Sequence, residues 1–150
     1  MKKFRFSLET VLDYKQQVLD ALRVEHGAIL AQVRAQEDVV DGLETDHREV
    51  DSEFSQRKLE GITIVDALSY EQYLRALERQ IQTERRKLEI LRRKEEQKRE
   101  QVVEARKETA TLEKLREHKL DDYHKAEQKE EEQRIEEFVS TARAMAAMGI

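Results

Sequence analysis

The sequence lacks cysteine, proline and tryptophan, and it contains only four glycines in 150 residues. The absence of cysteine excludes disulfides, thiolate metal sites and cysteine nucleophiles, and it is compatible with a reducing cytoplasm. Because proline removes a backbone donor and clashes with the preceding helical turn, its absence favours long uninterrupted helices. No apolar run approaches the roughly 20 residues of a membrane span, and no apolar stretch follows the basic start Met1–Phe6, so we predict neither membrane insertion nor secretion.

Charged residues make up 41% of the chain, whereas about a quarter is usual. The hydrophobic residues are spread too thinly for a thick core, so we expect a narrow apolar seam between helices. The net charge of −5 argues against a protein that coats nucleic acid. The basic triplets Arg85–Lys87 and Arg92–Lys94 are interleaved with glutamates and lack stacking aromatics, which indicates solvated helix faces and no nucleic-acid partner.

Apolar residues recur at alternating steps of four and three from Ser7 to Phe54, the heptad signature of a helix that packs on another helix. At about 1.5 Å per residue, this helix is too long to fold inside a globule made by so short a chain, so the rest of the chain must supply its partner. Gly27 and Gly42 lie within the helix but off the seam, either as tolerated residues or as the site of a kink. The polar interruptions of the seam are Lys15, His26, Gln36 and His47.

A second, weaker seam follows a stretch that contains Gly61 and a β-branched run. The segment Ser69–Gln72 has the form of a capping box, which predicts the start of a second helix. We therefore predict an all-α fold, a long two-helix antiparallel coiled-coil hairpin with a helical C-terminal overhang. The predicted parts of this single domain are an N-terminal arm at 1–6, helix 1 at 7–58, a tip connection at 59–69, and helix 2 at 70–148 with 125–148 overhanging.

The polar interruptions suggest how the two seams align. An alignment that matches apolar residues and also brings polar residues together is favoured, because polar layers fix register. This alignment places the like charges Lys15 and Arg116 opposite each other and Leu12 opposite Lys119, so we predict fraying where the two helices end. The pairs predicted nearer the tip are Phe54 with Leu77, His47 with Glu84, Val40 with Leu91, and Gln36 with Glu95.

Two groups of side chains have no place in this seam. An unpaired apolar stripe in the overhang indicates a protein-binding surface, with a frayed alanine-rich tail as the alternative. Past the tip, Tyr70 and Tyr73 are expected to lie partly outside the seam, either in an interface or packed under the tip loop. The stripe consists of Ile135, Phe138, Val139, Ala142, Met145, Ala146 and Met148.

No constellation of catalytic or metal-binding residues emerges. We expect His26 and His47 to be polar layers of the seam, too far apart along one helix to share a metal. A second group occupies a solvated helix face without a supporting pocket: His118, Asp121, Asp122 and His124. The chain has no Gly-rich phosphate loop and no serine beside a base and an orienting acid. We therefore expect no enzyme activity, no catalytic residue, no cofactor and no metal.

Three segments together resemble the flagellar export protein family FliJ, the small coiled-coil component of the flagellar type III export apparatus. The resemblance covers nearly the whole chain and includes its length and unequal hairpin. Here the C-terminal basic residue, Arg143, falls about one position later than in the family pattern. The three segments are Phe4-x-Phe6-x-Leu8-x-x-Val11-Leu12-x-x-Lys15, Tyr70-x-Gln72-Tyr73-Leu74-x-x-Leu77-Glu78, and Glu136-Glu137-Phe138 followed by small residues.

The resemblance implies a fold similar to the central stalk, or γ subunit, of rotary ATPases. It implies a non-enzymatic protein that associates with the hexameric export ATPase and promotes its assembly and activity. It also implies contacts with the cytoplasmic domain of the export-gate membrane protein and with chaperones that deliver late substrates. The expected location is the cytoplasm, peripherally at the inner face of the cell membrane at the flagellar basal body.

Site residues follow from the same resemblance. The gate-contact segment corresponds to Tyr70, Tyr73, Leu77, Gln80 and Glu84, although Leu77 and Glu84 are also seam positions. The ends directed to the ATPase ring would supply Phe4, Phe6, Leu8, Leu12, Ile135, Phe138, Ala142, Arg143 and Met145. We expect a monomer. The alternatives are a self-associating structural coiled coil and the equivalent stalk of a virulence-type secretion system.

Overall fold

The computed structural model describes residues 2–149, in which the chain forms two long α-helices and no strand. Helix α1 spans Glu9–Glu60 and helix α2 spans Ile64–Ala147. Proline is absent, and α1 continues through Gly27 and Gly42 without a break. The two helices pack antiparallel as a helical hairpin, which confirms the predicted fold class.

Buried side chains follow the two predicted seams. Every position predicted for the first seam, from Leu8 to Phe54, is buried or half-buried, and the same holds for the predicted second seam from Leu77 to Arg116. Lys119 was also predicted in the second seam but is exposed, whereas Tyr70 and Leu74 extend that seam toward the tip. Leu12 and Phe54 are only 4% exposed. Burying an apolar side chain of this size contributes about 1.5–3 kcal/mol, so the fold depends on a single row of such contacts. The prediction of a thin seam in place of a thick core is confirmed.

The chain divides into two compact units, each built from a piece of both helices. The tip unit is Asp20–Val103 and contains the connection between the helices. Its core is a cluster of Val33, Val40 and Leu88, with Ile29 and Leu91 packed against it. The end unit is formed by the described parts of Met1–Leu19 and Glu104–Ile150 and contains both chain ends.

The connection at the tip is much shorter than the predicted 59–69, because only residues 61–63 lie between the helices. Gly61 has a φ of 100°, a left-handed conformation that glycine adopts without the steric penalty of a Cβ atom. Gly61 therefore allows the chain to change direction within three residues, and the β-branched residues Ile64 and Val65 form the start of α2.

Helix α2 starts at Ile64, with Thr63 as its N-cap, earlier than the predicted start at residue 70. The Thr63 hydroxyl accepts a hydrogen bond from the Asp66 amide at 3.2 Å and so caps the first turn. The predicted capping box at Ser69 is wrong, because the Ser69 hydroxyl lies within α2 and donates to the Val65 carbonyl at 3.1 Å.

The predicted register is wrong. With the short connection, the two helices pack about one heptad away from the alignment predicted from the sequence. Phe54 stacks on Tyr70, with ring centroids 5.0 Å apart, and does not lie opposite Leu77. The predicted register assumed a longer connection, and a three-residue turn leaves no chain to span that offset. The polar contacts observed are His47 with Glu78 at 3.1 Å, Gln36 with Glu84 at 2.5 Å, and His26 with Glu95 at 3.0 Å.

The corrected register also removes the contact between like charges from which fraying was predicted in the end unit. Lys15 Nζ contacts Glu108 Oε2 at 2.7 Å, and the adjacent carboxylate raises the pKa of the Lys15 ammonium. Arg116 Nε lies 3.0 Å from Glu9 Oε2, so this arginine does not face Lys15. Opposite charges therefore meet where the sequence analysis placed like charges.

Candidate partner-binding surfaces

The N-terminal arm packs on α2 at Tyr123. The rings of Phe4 and Tyr123 lie 5.6 Å apart, and the Tyr123 hydroxyl donates to the Lys2 carbonyl. The Arg116 guanidinium lies 5.7 Å from the Phe4 ring centroid. Desolvation raises the pKa of the Tyr123 phenol, and the Glu127 carboxylate adds to this effect, so the phenol stays protonated as a donor. The arm is thus held against the helix by aromatic packing.

Four of the residues predicted to face the ATPase ring belong to this packing. Phe6 is 8% exposed and Leu12 is 4% exposed, so both side chains serve the interior of the end unit. Phe4 and Leu8 are half-buried. These residues can support a binding surface by holding the N-terminal arm on α2, but most of their own surface area is already covered.

The other five predicted residues are exposed on the overhang. Every residue from Glu131 to Gly149 is exposed, although α2 remains helical as far as Ala147. Steps of three and four place Ile135, Phe138, Ala142 and Met145 on one helix face, beside Arg143. Phe138 is 76% exposed and Ile135 is 57% exposed. Within the described chain, this stripe therefore has no apolar partner.

Three of the predicted gate residues are part of the seam, namely Tyr70, Leu77 and Glu84. Tyr70 is half-buried against Phe54, and Leu77 is 5% exposed. Two cations flank this aromatic pair, with Lys58 Nζ 3.8 Å from the Phe54 ring centroid and the Arg57 guanidinium 5.9 Å from that of Tyr70. Desolvation raises the pKa of the Tyr70 phenol, and the nearby Glu53 carboxylate raises it further. Tyr70 and Leu77 thus stabilise the tip.

Glu84 is a polar layer of the seam. It accepts a hydrogen bond from Gln36 Nε2 at 2.5 Å and another from Lys87 Nζ at 3.1 Å. The Gln36 hydrogen bond and then Lys87 lower the pKa of the Glu84 carboxyl below its usual value. Tyr73 is 53% exposed and Gln80 is exposed, so these two are the predicted gate residues that remain accessible.

The tip carries an exposed apolar group that the sequence analysis did not single out. Leu59 is 89% exposed, Ile64 is 80% exposed and Val65 is 72% exposed, with Leu68 close by in sequence. The sequence analysis placed all four residues in the tip connection 59–69. In the sequence, these apolar residues are out of phase with the seam. This pattern can be recognised only when α2 is taken to begin at Ile64.

Two further findings concern residues 2–149. This part of the chain holds no group of three or more His, Cys, Asp or Glu residues able to bind a metal ion. Neither helix contains a segment that is apolar enough over sufficient length to cross a membrane.

The comparisons with known proteins gave one match. A family model described as Flagellar FliJ protein matches residues 4–146. The matched range begins in the N-terminal arm and includes all of α1 and nearly all of α2. No curated protein and no solved structure matches the chain.

Proposed function

Because the chain belongs to the flagellar FliJ protein family and is thereby a component of flagellar protein export, we propose that it acts there as a binding stalk that catalyses no reaction. The observation that carries this proposal is the bare apolar stripe of the overhang, centred on Phe138 at 76% exposure. Apolar area of this kind on one helix face is a typical protein-binding surface. In this proposal the stripe contacts the export ATPase ring and promotes its assembly and activity.

The arm supports this binding role by fixing the base of the overhang. Phe4 packs on Tyr123, which precedes the exposed segment, and Phe6 of the arm is itself buried. The N-terminal arm is thus held on α2 at Tyr123, before the stripe begins at Ile135. Phe4, Phe6, Leu8 and Leu12 position the end unit, while Ile135, Phe138, Ala142, Arg143 and Met145 make the contact.

The gate contact is proposed at the accessible residues of the tip unit. Tyr73 and Gln80 lie on one exposed face of α2, and an exposed tyrosine is a frequent anchor in interfaces. Tyr70, Leu77 and Glu84 act from the seam by holding this face in place. We extend the proposal to substrate chaperones as partners and to a peripheral position at the inner face of the cell membrane, with the free protein a monomer in the cytoplasm.

The binding test uses the full chain and two charge substitutions at equally exposed apolar residues. Phe138→Glu is expected to weaken binding to the export ATPase at least tenfold, because it replaces about 2–3 kcal/mol of apolar burial with a charge. Val24→Glu is the control, since Val24 is 75% exposed and lies in the tip unit. Titration calorimetry gives both affinities. Equal binding by the Phe138→Glu variant would contradict the assignment of the stripe.

A self-associating coiled coil remains the second candidate, because the same stripe could pair with another copy. Light scattering separates the two. A molar mass that stays at that of one chain, 17.8 kDa, as concentration rises supports the stalk. A dimer that Phe138→Glu dissociates would favour the structural scaffold.

A further inference from the structure

The tip unit contains two signals for the start of α2. The observed start uses Thr63 as its N-cap, because the Thr63 hydroxyl accepts a hydrogen bond from the Asp66 amide at 3.2 Å. Further along, Ser69 and Gln72 have the spacing of a capping box, although Ser69 lies within α2 in the structure. A helix that began at Tyr70 would have residues 61–69 as its connection to α1, in place of residues 61–63.

The segment between the two signals contributes little to the seam. Ile64 is 80% exposed, Val65 is 72% exposed and Leu68 is 51% exposed, while Ala67 is half-buried. Because no residue from 64 to 69 is buried, unwinding this segment removes few apolar contacts. The start of α2 is therefore the part of the tip unit that the seam holds least.

A slide of α2 by one heptad keeps the two seams in contact. Heptad positions repeat every seven residues, so Leu77 would take the place that Tyr70 has on Phe54. Polar residues would again meet polar residues, and apolar residues would again meet apolar ones. The other layers of this second alignment are His47 with Glu84, Leu43 with Leu88, Val40 with Leu91, and Gln36 with Glu95.

The charges beside the seam also fit both alignments. In the structure, Glu44 contacts Arg85 at 2.5 Å and Glu37 contacts Arg92 at 3.4 Å. All four residues occupy e positions, where α1 repeats a carboxylate and α2 repeats an arginine every seven residues. A slide of one heptad therefore exchanges the partners and keeps the opposite charges together. The pairs after the slide are Asp51 with Arg85, Glu44 with Arg92, and Glu37 with Arg99.

This row of ion pairs gains one member in the second alignment. Seven residues along each helix from the pair Glu44–Arg85, the observed alignment places Asp51 beside Glu78, two groups of like charge. After the slide, Asp51 would lie beside Arg85. An exposed ion pair contributes little to stability, so the charges permit the slide but do not drive it.

The end unit favours the observed alignment. There Lys15 contacts Glu108 at 2.7 Å, and Arg116 contacts Glu9 at 3.0 Å. The same slide would place Lys15 opposite Arg116, which exchanges two attractions for a repulsion. Since both helices run through the end unit, the observed alignment is the dominant one in the unaltered chain.

We propose that the hairpin has two conformational states, which differ by a slide of α2 along α1 by one heptad in the tip unit. In the second state, Ser69 caps α2 and residues 61–69 form the connection. At 1.5 Å per residue, α2 moves by about 10 Å along α1. Any change that disfavours only the observed start of α2 shifts the population toward the second state. This proposal does not rest on the proposed function.

The test places a proline where it harms only the observed state. Proline within a helix removes a backbone donor and clashes with the preceding turn, so Leu68→Pro is incompatible with the observed α2. In the second state, the same residue lies in the connection. Ile64→Pro is the matched control, because Ile64 is also exposed and occupies the first position of α2, where proline is tolerated.

Disulfides report the alignment in each full-length variant. In Leu68→Pro, Val40→Cys with Leu91→Cys should give at least about tenfold more disulfide than Val33→Cys with Leu91→Cys, because an interior proline is so costly to the observed state. In Ile64→Pro, the ratio should be reversed. A Val33–Leu91 disulfide that persists in Leu68→Pro would mean that the first turns unwind without a slide, and it would overturn the proposal. Loss of helical circular dichroism beyond residues 64–69 would overturn it as well, since the second state keeps the helices paired.

A second measurement uses the cap of the second state. Ser69→Ala removes an N-cap only in that state, because the Ser69 hydroxyl donates to the Val65 carbonyl within the observed α2. Combined with Leu68→Pro, Ser69→Ala should lower the Tm by several degrees. Combined with Ile64→Pro, it should leave the Tm nearly unchanged. Equal changes in the two backgrounds would contradict the proposed start of α2 at Tyr70.

Discussion

Three polar side chains of the α1 seam, His26, Gln36 and His47, each face a glutamate of α2. A polar group left unpaired in a partly dry seam costs about 1–3 kcal/mol. Apolar residues tolerate several alignments, whereas these pairs are lost when the helices slide. The polar layers restrict the alignments, but the register predicted from sequence also placed His47 and Gln36 opposite glutamates, so these layers do not separate two registers that differ by one heptad.

Glu84 gives the first test at the residue scale, because Gln36 and Lys87 lower the pKa of its carboxyl. A lowered pKa in the folded state means that the carboxylate stabilises the fold above its ordinary pKa of 4.5, and that this stability is lost as the pH falls below it. Glu84→Gln should therefore lower the Tm at pH 7, and the gap to the unaltered chain should close in acid.

Thermal melts followed by circular dichroism between neutral and acidic pH measure this gap. Glu132→Gln, on the exposed overhang, shows the general effect of removing one carboxylate. A Tm difference for Glu84→Gln that is the same at every pH would mean that the carboxylate does not act through its charge.

At the scale of the helices, the sequence predicted the seams better than their alignment. Apolar periodicity specifies which residues face the partner, and every predicted α1 position from Leu8 to Phe54 is buried or half-buried. A shift of one heptad keeps all those residues in the seam, so periodicity cannot choose between registers. The choice of register depends on the three-residue turn. Gly61 forms this turn with its positive φ, and the Thr63 side chain caps the helix that follows.

The register is tested by cysteine pairs, since the chain has no cysteine of its own. Val33 and Leu91 lie in one apolar cluster, and counting along both helices from the Phe54–Tyr70 layer places them opposite each other. Val33→Cys with Leu91→Cys should form an intramolecular disulfide on oxidation, seen as a shift in gel mobility. Val40→Cys with Leu91→Cys, the pair of the register predicted from sequence, should not. The reverse outcome would restore that register.

The helical glycines give a test of stability. Gly27 and Gly42 have open space where a Cβ atom would lie, so alanine at either should raise the free energy of unfolding by about 1 kcal/mol. Gly61→Ala should instead destabilise the hairpin, because alanine is strained at a φ of 100°. Urea unfolding curves measure all three variants. Destabilisation by Gly42→Ala in the isolated chain would reveal an internal packing role for that glycine.

At the scale of the whole molecule, the candidate surfaces were predicted in part. The overhang stripe was visible in the sequence because its apolar residues had no matching seam, and Phe138 is indeed exposed. Leu77 and Glu84 were assigned to a partner by resemblance, yet the seam contains both.

The central claim is that the exposed stripe of the overhang engages the export ATPase. The most direct measurement is ATP hydrolysis by that ATPase at increasing concentrations of the full chain, of Phe138→Glu and of Val24→Glu. The account predicts stimulation by the unaltered chain and by Val24→Glu, and little or none by Phe138→Glu. Equal stimulation by all three, or no stimulation by the unaltered chain, would contradict it.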